Sequence, residues 1–131
     1  MEIFKSATCC LVPLVLLAGC GEKVLTPEDI ADYQPWEVAT LYCESLKILD
    51  KEQLTAILEP KMAKKLGEDI DKLSSDKREE LLDKSAAWDC TARLDKELPD
   101  GRAVYSFPKA PKAKRIAIST DENGLYVISN K

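Results

Sequence analysis

The chain has 131 residues, 45% of them hydrophobic, with 19 bases, 23 acids and no histidine, for a formal net charge of −4. That balance excludes a general nucleic-acid binder, which needs a basic field to meet phosphates. The missing histidine removes serine-type triads and most zinc sites, and no phosphate-cradling glycine loop is present.

The first element is an apolar run from Ala7 to Gly19, preceded by Lys5 and interrupted by Pro13. It is too short to span a bilayer, which takes about 20 residues as a helix. A basic start, a short apolar stretch and a small-residue exit have the form of a secretory signal. The exit, Leu17-Ala18-Gly19-Cys20, resembles the lipobox of bacterial lipoproteins. The resemblance implies a signal peptide over 1–19, recognition by the lipoprotein signal peptidase through Leu17, Ala18 and Gly19, and a diacylglycerol on the Cys20 thiol. The freed amine would then take a further acyl chain such as palmitate. Each buried CH₂ adds about 0.8 kcal/mol, so two or three chains would anchor the protein lastingly. Gly21 stands where an aspartate favours the inner membrane in Gram-negative lipoproteins, so in such a cell the resemblance implies the outer membrane, facing the periplasm.

Removing 19 of 131 residues leaves 112, enough for one domain with a modest core. It takes away one base, Lys5, and one acid, Glu2, so the net charge stays at −4. Of five cysteines, Cys9 and Cys10 leave with the signal and Cys20 carries lipid. Cys43 and Cys90 remain in an oxidising compartment, either as a disulfide, the expected state, or as two separate buried thiols. Closing a loop of about 47 residues would stabilise the fold by roughly 4 kcal/mol. No metal is expected, because these two cysteines lack close ligand spacing, and no cofactor is expected either.

A lipidated tether over 20–26 leads into a single domain over 27–131. Thr26-Pro27-Glu28-Asp29 reads as a helix start, with a hydroxyl cap, a first-turn proline and carboxylates at the positive end of the dipole. Pro35 re-aims the chain into the strongest helical signal, PWEVATLYCESLKILD, where Val38, Tyr42, Ser45 and Leu49 form one stripe beside Ala39, Cys43 and Leu46. Asp50 with Gln53 resembles a capping box for a helix over Lys51 to Leu58. Pro60 starts another turn through Met62 and Leu66, which Gly67 is expected to close. Asp76 with Glu79 repeats the capping signal for a helix through Leu81, Leu82 and Ala86.

At Trp88 the period changes to two: Trp88, Cys90, Ala92 and Leu94 alternate with polar residues as a half-buried strand. Pro99-Asp100-Gly101 turns into a second strand through Ala103, Tyr105 and Phe107. A third carries Ile116 and Ile118, and Asp121 to Gly124 turns into a last strand over Leu125 to Ile128. Helices followed by an antiparallel meander of about four strands define an α+β fold, with N-terminal helices packed on one sheet face. PWEVATLYCESLKILDKEQLTAILEP and the strands ending DENGLYVISN resemble the nuclear-transport-factor-2-like (cystatin-like) superfamily, in the form carried by small bacterial lipoproteins. That resemblance implies a curved sheet wrapped into a cone, and transfers no catalytic residue to this chain.

The carboxylates Asp69, Asp71, Asp76, Glu79, Glu80 and Asp83 lie among lysines on polar helical faces and read as solvated surface. Asp89, between Trp88 and Cys90, should point away from the core by alternation. Lys109, Lys112, Lys114 and Arg115 form a basic cluster in an acidic chain, suited either to an anionic surface or partner, or to guarding a sheet edge. Trp36 and Tyr33 cover the core entrance or sit at headgroup level. The expected function is non-catalytic: a lipid-anchored envelope protein with a binding or structural role, touching the membrane through its acyl chains and an envelope protein through its body. An inhibitor or immunity protein against a toxin or cell-wall hydrolase is one alternative. A small-ligand carrier using the cone is another.

Overall fold

The computed structural model describes residues 23–130; the signal segment 1–19 with Leu17, Ala18 and Gly19, the lipidation position Cys20, and Lys131 lie outside the described residues. Four helices precede four strands: α1 Pro35–Lys47, α2 Lys51–Ile57, α3 Pro60–Asp71, α4 Ser75–Ser85, then β1 Arg93–Glu97, β2 Ala103–Ser106, β3 Ile116–Thr120 and β4 Tyr126–Asn130. The strands form one open antiparallel sheet in the order β1-β2-β3-β4. The architecture is the expected α+β fold.

Thr26 and Asp29 cap each other, the Thr26 amide donating to Asp29 Oδ2 at 2.9 Å, but the segment makes only an irregular turn that plants Ile30 in the core. Pro35 then opens α1, and Gln34 and Glu37 form a reciprocal capping box around its first turn. The stripe read from the sequence is the one that packs: Val38, Ala39, Tyr42, Cys43 and Ser45 are buried. At the far end the Asp50 amide donates to the Ser45 carbonyl (2.9 Å) and the Leu49 amide to Leu46 (3.1 Å). This is a Schellman closure that puts Leu49 at φ +56°, a left-handed position usually given to glycine.

Asp50 caps α2 by accepting from the Gln53 amide at 3.1 Å. The Gln53 side chain does not complete the box. It is buried against Leu25, accepting from the Leu25 amide (2.9 Å) and donating to the Leu25 carbonyl (2.8 Å). Leu25, inside the stretch 20–26 expected as a tether, is thus clamped to α2.

Gly67 does not close α3, which runs on to Asp71. It lies buried inside the helix, where a Cβ would meet Thr55 Cγ2 and Lys51 Cε at 3.5 Å, so it marks the close approach of α2 and α3. The cap of α4 is Ser74, whose hydroxyl accepts from the Lys77 amide (3.1 Å), two residues ahead of the expected Asp76. Leu81 and Leu82 are only half-buried there, and Ser85 is the helix's buried residue.

The stretch from Trp88 to Ala92 belongs to no strand. Its backbone is engaged elsewhere: Asp89 N–H donates to the Lys109 carbonyl (3.3 Å), while the Trp88 and Cys90 carbonyls accept from Lys47 Nζ (3.0 Å) and the Thr40 hydroxyl (3.4 Å). The alternation holds through Ala92 and then fails at Leu94, which is 48% exposed. The pairing register of this edge strand shifts between Leu94 and Lys96, and Asp95, not Leu94, is the half-buried position.

The last turn forms on Asp121, whose Oδ1 accepts from the amides of Asn123 (2.8 Å) and Leu125 (3.0 Å), with Gly124 at φ +80°. The far edge of the sheet is covered from the helical layer. The Glu59 amide donates to the Ile128 carbonyl at 2.9 Å, in the extended link between α2 and α3. Val38, Leu54 and Ile57 from the helices meet Tyr105, Ile116, Ile118 and Ile128 from the sheet in one core that fills the space between the layers.

Candidate functional site: a lysine-rimmed groove

The basic cluster lies in the connection between β2 and β3, and its form follows from its alanines. Ala110 and Ala113 are buried, and their amides donate to the carbonyls of Phe107 (3.0 Å) and Ala110 (2.9 Å) in two successive turns. With small residues inside, Lys109, Lys112, Lys114 and Arg115 are left exposed.

The structure separates these four cations. Arg115 reaches Asp95 Oδ2 at 3.4 Å, joining Arg93 and the Ser106 hydroxyl around that carboxylate. Lys109 stands near Asp89 and helps hold its carboxyl low, after the Thr91 hydroxyl and amide, which do most. Lys112 and Lys114 instead face α3 across a groove of about 620 Å³.

The floor of that groove is apolar: Tyr42 and Leu46 from α1, Met62 and Leu66 from α3. Tyr42 packs against Phe107 with ring centroids 6.0 Å apart, and burial pushes its phenol up to about 12, so it stays neutral. Lys61 and Lys65 of α3 line the same groove as Lys112 and Lys114, and all four are exposed. Two acids, Glu59 and Asp69, also line the groove, and both are engaged. Glu59 caps α3 by accepting from the amides of Lys61 (3.2 Å) and Met62 (3.0 Å), while Asp69 pairs with Lys65 at 3.2 Å. Among the described residues, Lys61, Lys112 and Lys114 enter no ion pair.

A second hollow of about 380 Å³ adjoins the first, sharing Leu46 and Lys112. Leu49, Leu81 and Trp88 give it an apolar lining, and Lys77 and Lys84 stand at its margin. Trp88 is therefore a wall of this hollow, whereas Trp36 is 53% exposed at the start of α1.

The floor residues were read from the sequence as apolar helix positions and not as a site, and the α3 lysines were not singled out. The helical spacing of Lys61 with Lys65, and of Met62 with Leu66, carried the signal for an amphipathic edge. What that edge would face depended on the β2–β3 connection folding back onto it.

Carboxylates that clearly depart from their ordinary values move down. Asp29, Glu80, Asp89, Asp95 and Asp100 are all held below the usual range, chiefly by hydrogen bonds from Thr26, Lys84, Thr91, Ser106 and Arg102 respectively. A general acid needs the opposite displacement. Asp89 is exposed, as its alternation implied. Among the described residues, no three Cys, Asp or Glu side chains converge as metal ligands, and no helix is long and apolar enough to cross a membrane.

Cys43 and Cys90 are joined in a disulfide, with Cα atoms 5.6 Å apart. It fastens the Trp88–Ala92 segment to α1 behind the groove. The fold and groove define a small α+β domain of helices on an antiparallel meander. No protein-family model, no curated protein and no solved structure matches this chain.

Proposed function

We propose that this chain is a lipid-anchored protein of the cell envelope whose domain binds its target without transforming it. The Leu17-Ala18-Gly19-Cys20 motif supports the anchor, and Gly21 after it supports the outer membrane as its place in a Gram-negative cell. The groove supports the binding half: its apolar floor lies among Lys61, Lys112 and Lys114, which enter no ion pair among the described residues, and such a surface suits recognition. Five residue steps separate Cys20 from the clamped Leu25, a reach of at most about 18 Å. An acylated Cys20 would therefore keep the domain beside the bilayer, with α2 nearby.

Two measurements test the two halves separately. Cys20→Ser should accumulate as an uncleaved precursor that takes up no labelled fatty acid; normal processing of that variant would refute the anchor. A photo-crosslinking amino acid in place of Leu66 should give a discrete adduct in intact envelopes, and one in place of exposed Thr120 should not. Equal labelling from both positions would refute the groove as the binding face.

A further inference from the structure

We infer that the groove takes an anionic amphiphile, its phosphate or carboxylate head held by Lys112 and Lys114 and its hydrocarbon chain lying along Tyr42, Leu46, Met62 and Leu66. The inference rests on the domain being a binding module and names the class of its ligand.

The charge argues for an anion. In a chain of net charge −4, three lysines without ion pairs among the described residues border one groove, and both rim acids are engaged by α3 amides or by Lys65. Bringing a phosphate or carboxylate to them forms charge-assisted hydrogen bonds without first breaking an existing pair. The floor argues for a hydrocarbon chain. Its four residues come from α1 and α3, whose main-chain groups are bonded within the helices. An extended peptide laid along those four residues would find no main-chain partners on α1 or α3, whereas a hydrocarbon chain requires none; strand β4 reaches the groove only through its last residue, Asn130.

The length of the apolar track argues for an elongated body. The two hollows meet at Leu46 beneath Lys112, so the apolar lining continues from Met62 and Leu66 past Leu46 to Leu49, Leu81 and Trp88. A head at Lys112 would stand over the junction, with apolar surface on either side.

The test uses the full-length protein in phosphatidylcholine nanodiscs and a single-chain alkyl phosphate bearing a diazirine in its chain. The same chain on a phosphocholine head, with no net charge, is the comparison. After illumination, mass spectrometry should place the phosphate probe on peptides containing Tyr42–Leu46 or Met62–Leu66. Yield should exceed that of the phosphocholine probe by about tenfold, and the double variant Lys112→Gln/Lys114→Gln should remove that excess, as expected for losing a charge-assisted contact. Lys96→Gln, on exposed β1, should leave labelling unchanged. All three lysines are exposed, so these variants retain the folded core. Equal labelling by both probes, labelling spread over the surface, or indifference to the double variant would overturn the inference. If the probe is rejected while Leu66 still crosslinks an envelope protein, the ligand class is refuted and the binding reading stands.

Discussion

Lys47, in the last turn of α1, donates its ammonium to the Trp88 carbonyl at 3.0 Å, one helical turn beyond the Cys43–Cys90 disulfide. The Ser85 hydroxyl donates to the Lys47 carbonyl at 2.6 Å, and the Thr40 hydroxyl to the Cys90 carbonyl at 3.4 Å. One face of α1 therefore holds the whole crossing from the helices to the sheet, through one covalent bond and three polar contacts. The same crossing carries Trp88 to the wall of the second hollow.

Removing the disulfide should be costly, because it closes a separation of 47 residues and Cys43 is fully buried. Cys43→Ala/Cys90→Ala should lose about 4 kcal/mol from the unconstrained unfolded chain. Urea unfolding of the variant, and of the native protein with and without reductant, measures this directly. A loss well under 1 kcal/mol would show that the other contacts of the crossing suffice.

Gly67→Ala should stabilise the protein. The residue is helical, and the new methyl group would meet Thr55 and Lys51 at 3.5 Å, an ordinary contact distance. Alanine recovers about 0.5–1 kcal/mol of helix propensity over glycine. A rise in thermal midpoint checks it. A fall would mean that α2 and α3 approach more closely than that distance allows.

Gln53→Leu should cost about 1–3 kcal/mol, because it keeps the side-chain volume but leaves the Leu25 amide and carbonyl without their partners. Hydrogen exchange at Leu25 should quicken far more than at the core amides of β3. Unchanged exchange at Leu25 would show that the clamp does not hold the segment.

Stability should fall in acid, and Asp95 should account for part of the fall. Its carboxyl is held below the ordinary value by the Ser106 hydroxyl, then by Arg115 and Arg93. A group with a lowered folded pKa contributes stability that is fully present above its unfolded value, about 3.9 for aspartate. That contribution is lost as pH falls through the folded value. Asp95→Asn should therefore lower the melting temperature at neutral pH and flatten the acid limb of its pH profile. An acid limb parallel to the native one would exclude Asp95 as a contributor.

Local periodicity and chemistry made much of the fold legible. The α1 stripe from Val38 to Ser45, the Asp50 cap, the turn on Asp121 and the inward aim of Cys43 and Cys90 all depend on neighbours within a few residues. The misreadings have tertiary causes. Trp88 to Ala92 alternates like a strand but spends its backbone bonds on Thr40, Lys47 and Lys109. Gly67 resembles a helix stop but lies inside α3, on the side that faces α2. Leu94 follows the alternation yet lies exposed on an edge strand, beside the place where its register shifts. The groove was half legible: Lys112 and Lys114 stood out as charges, but they acquire an apolar floor only where the buried Ala110 and Ala113 fold their loop beside α3.

Through the Cys43–Cys90 bond, α2, α3 and α4 sit inside a covalent ring. A protease that cuts within the ring, for instance at the exposed Ala86 and Ala87, converts one chain into two without parting them. The N-terminal fragment and the sheet would stay joined through α1, and so would any acyl anchor at Cys20. A nicked molecule would run at full length on a non-reducing gel and split only once the bond is reduced.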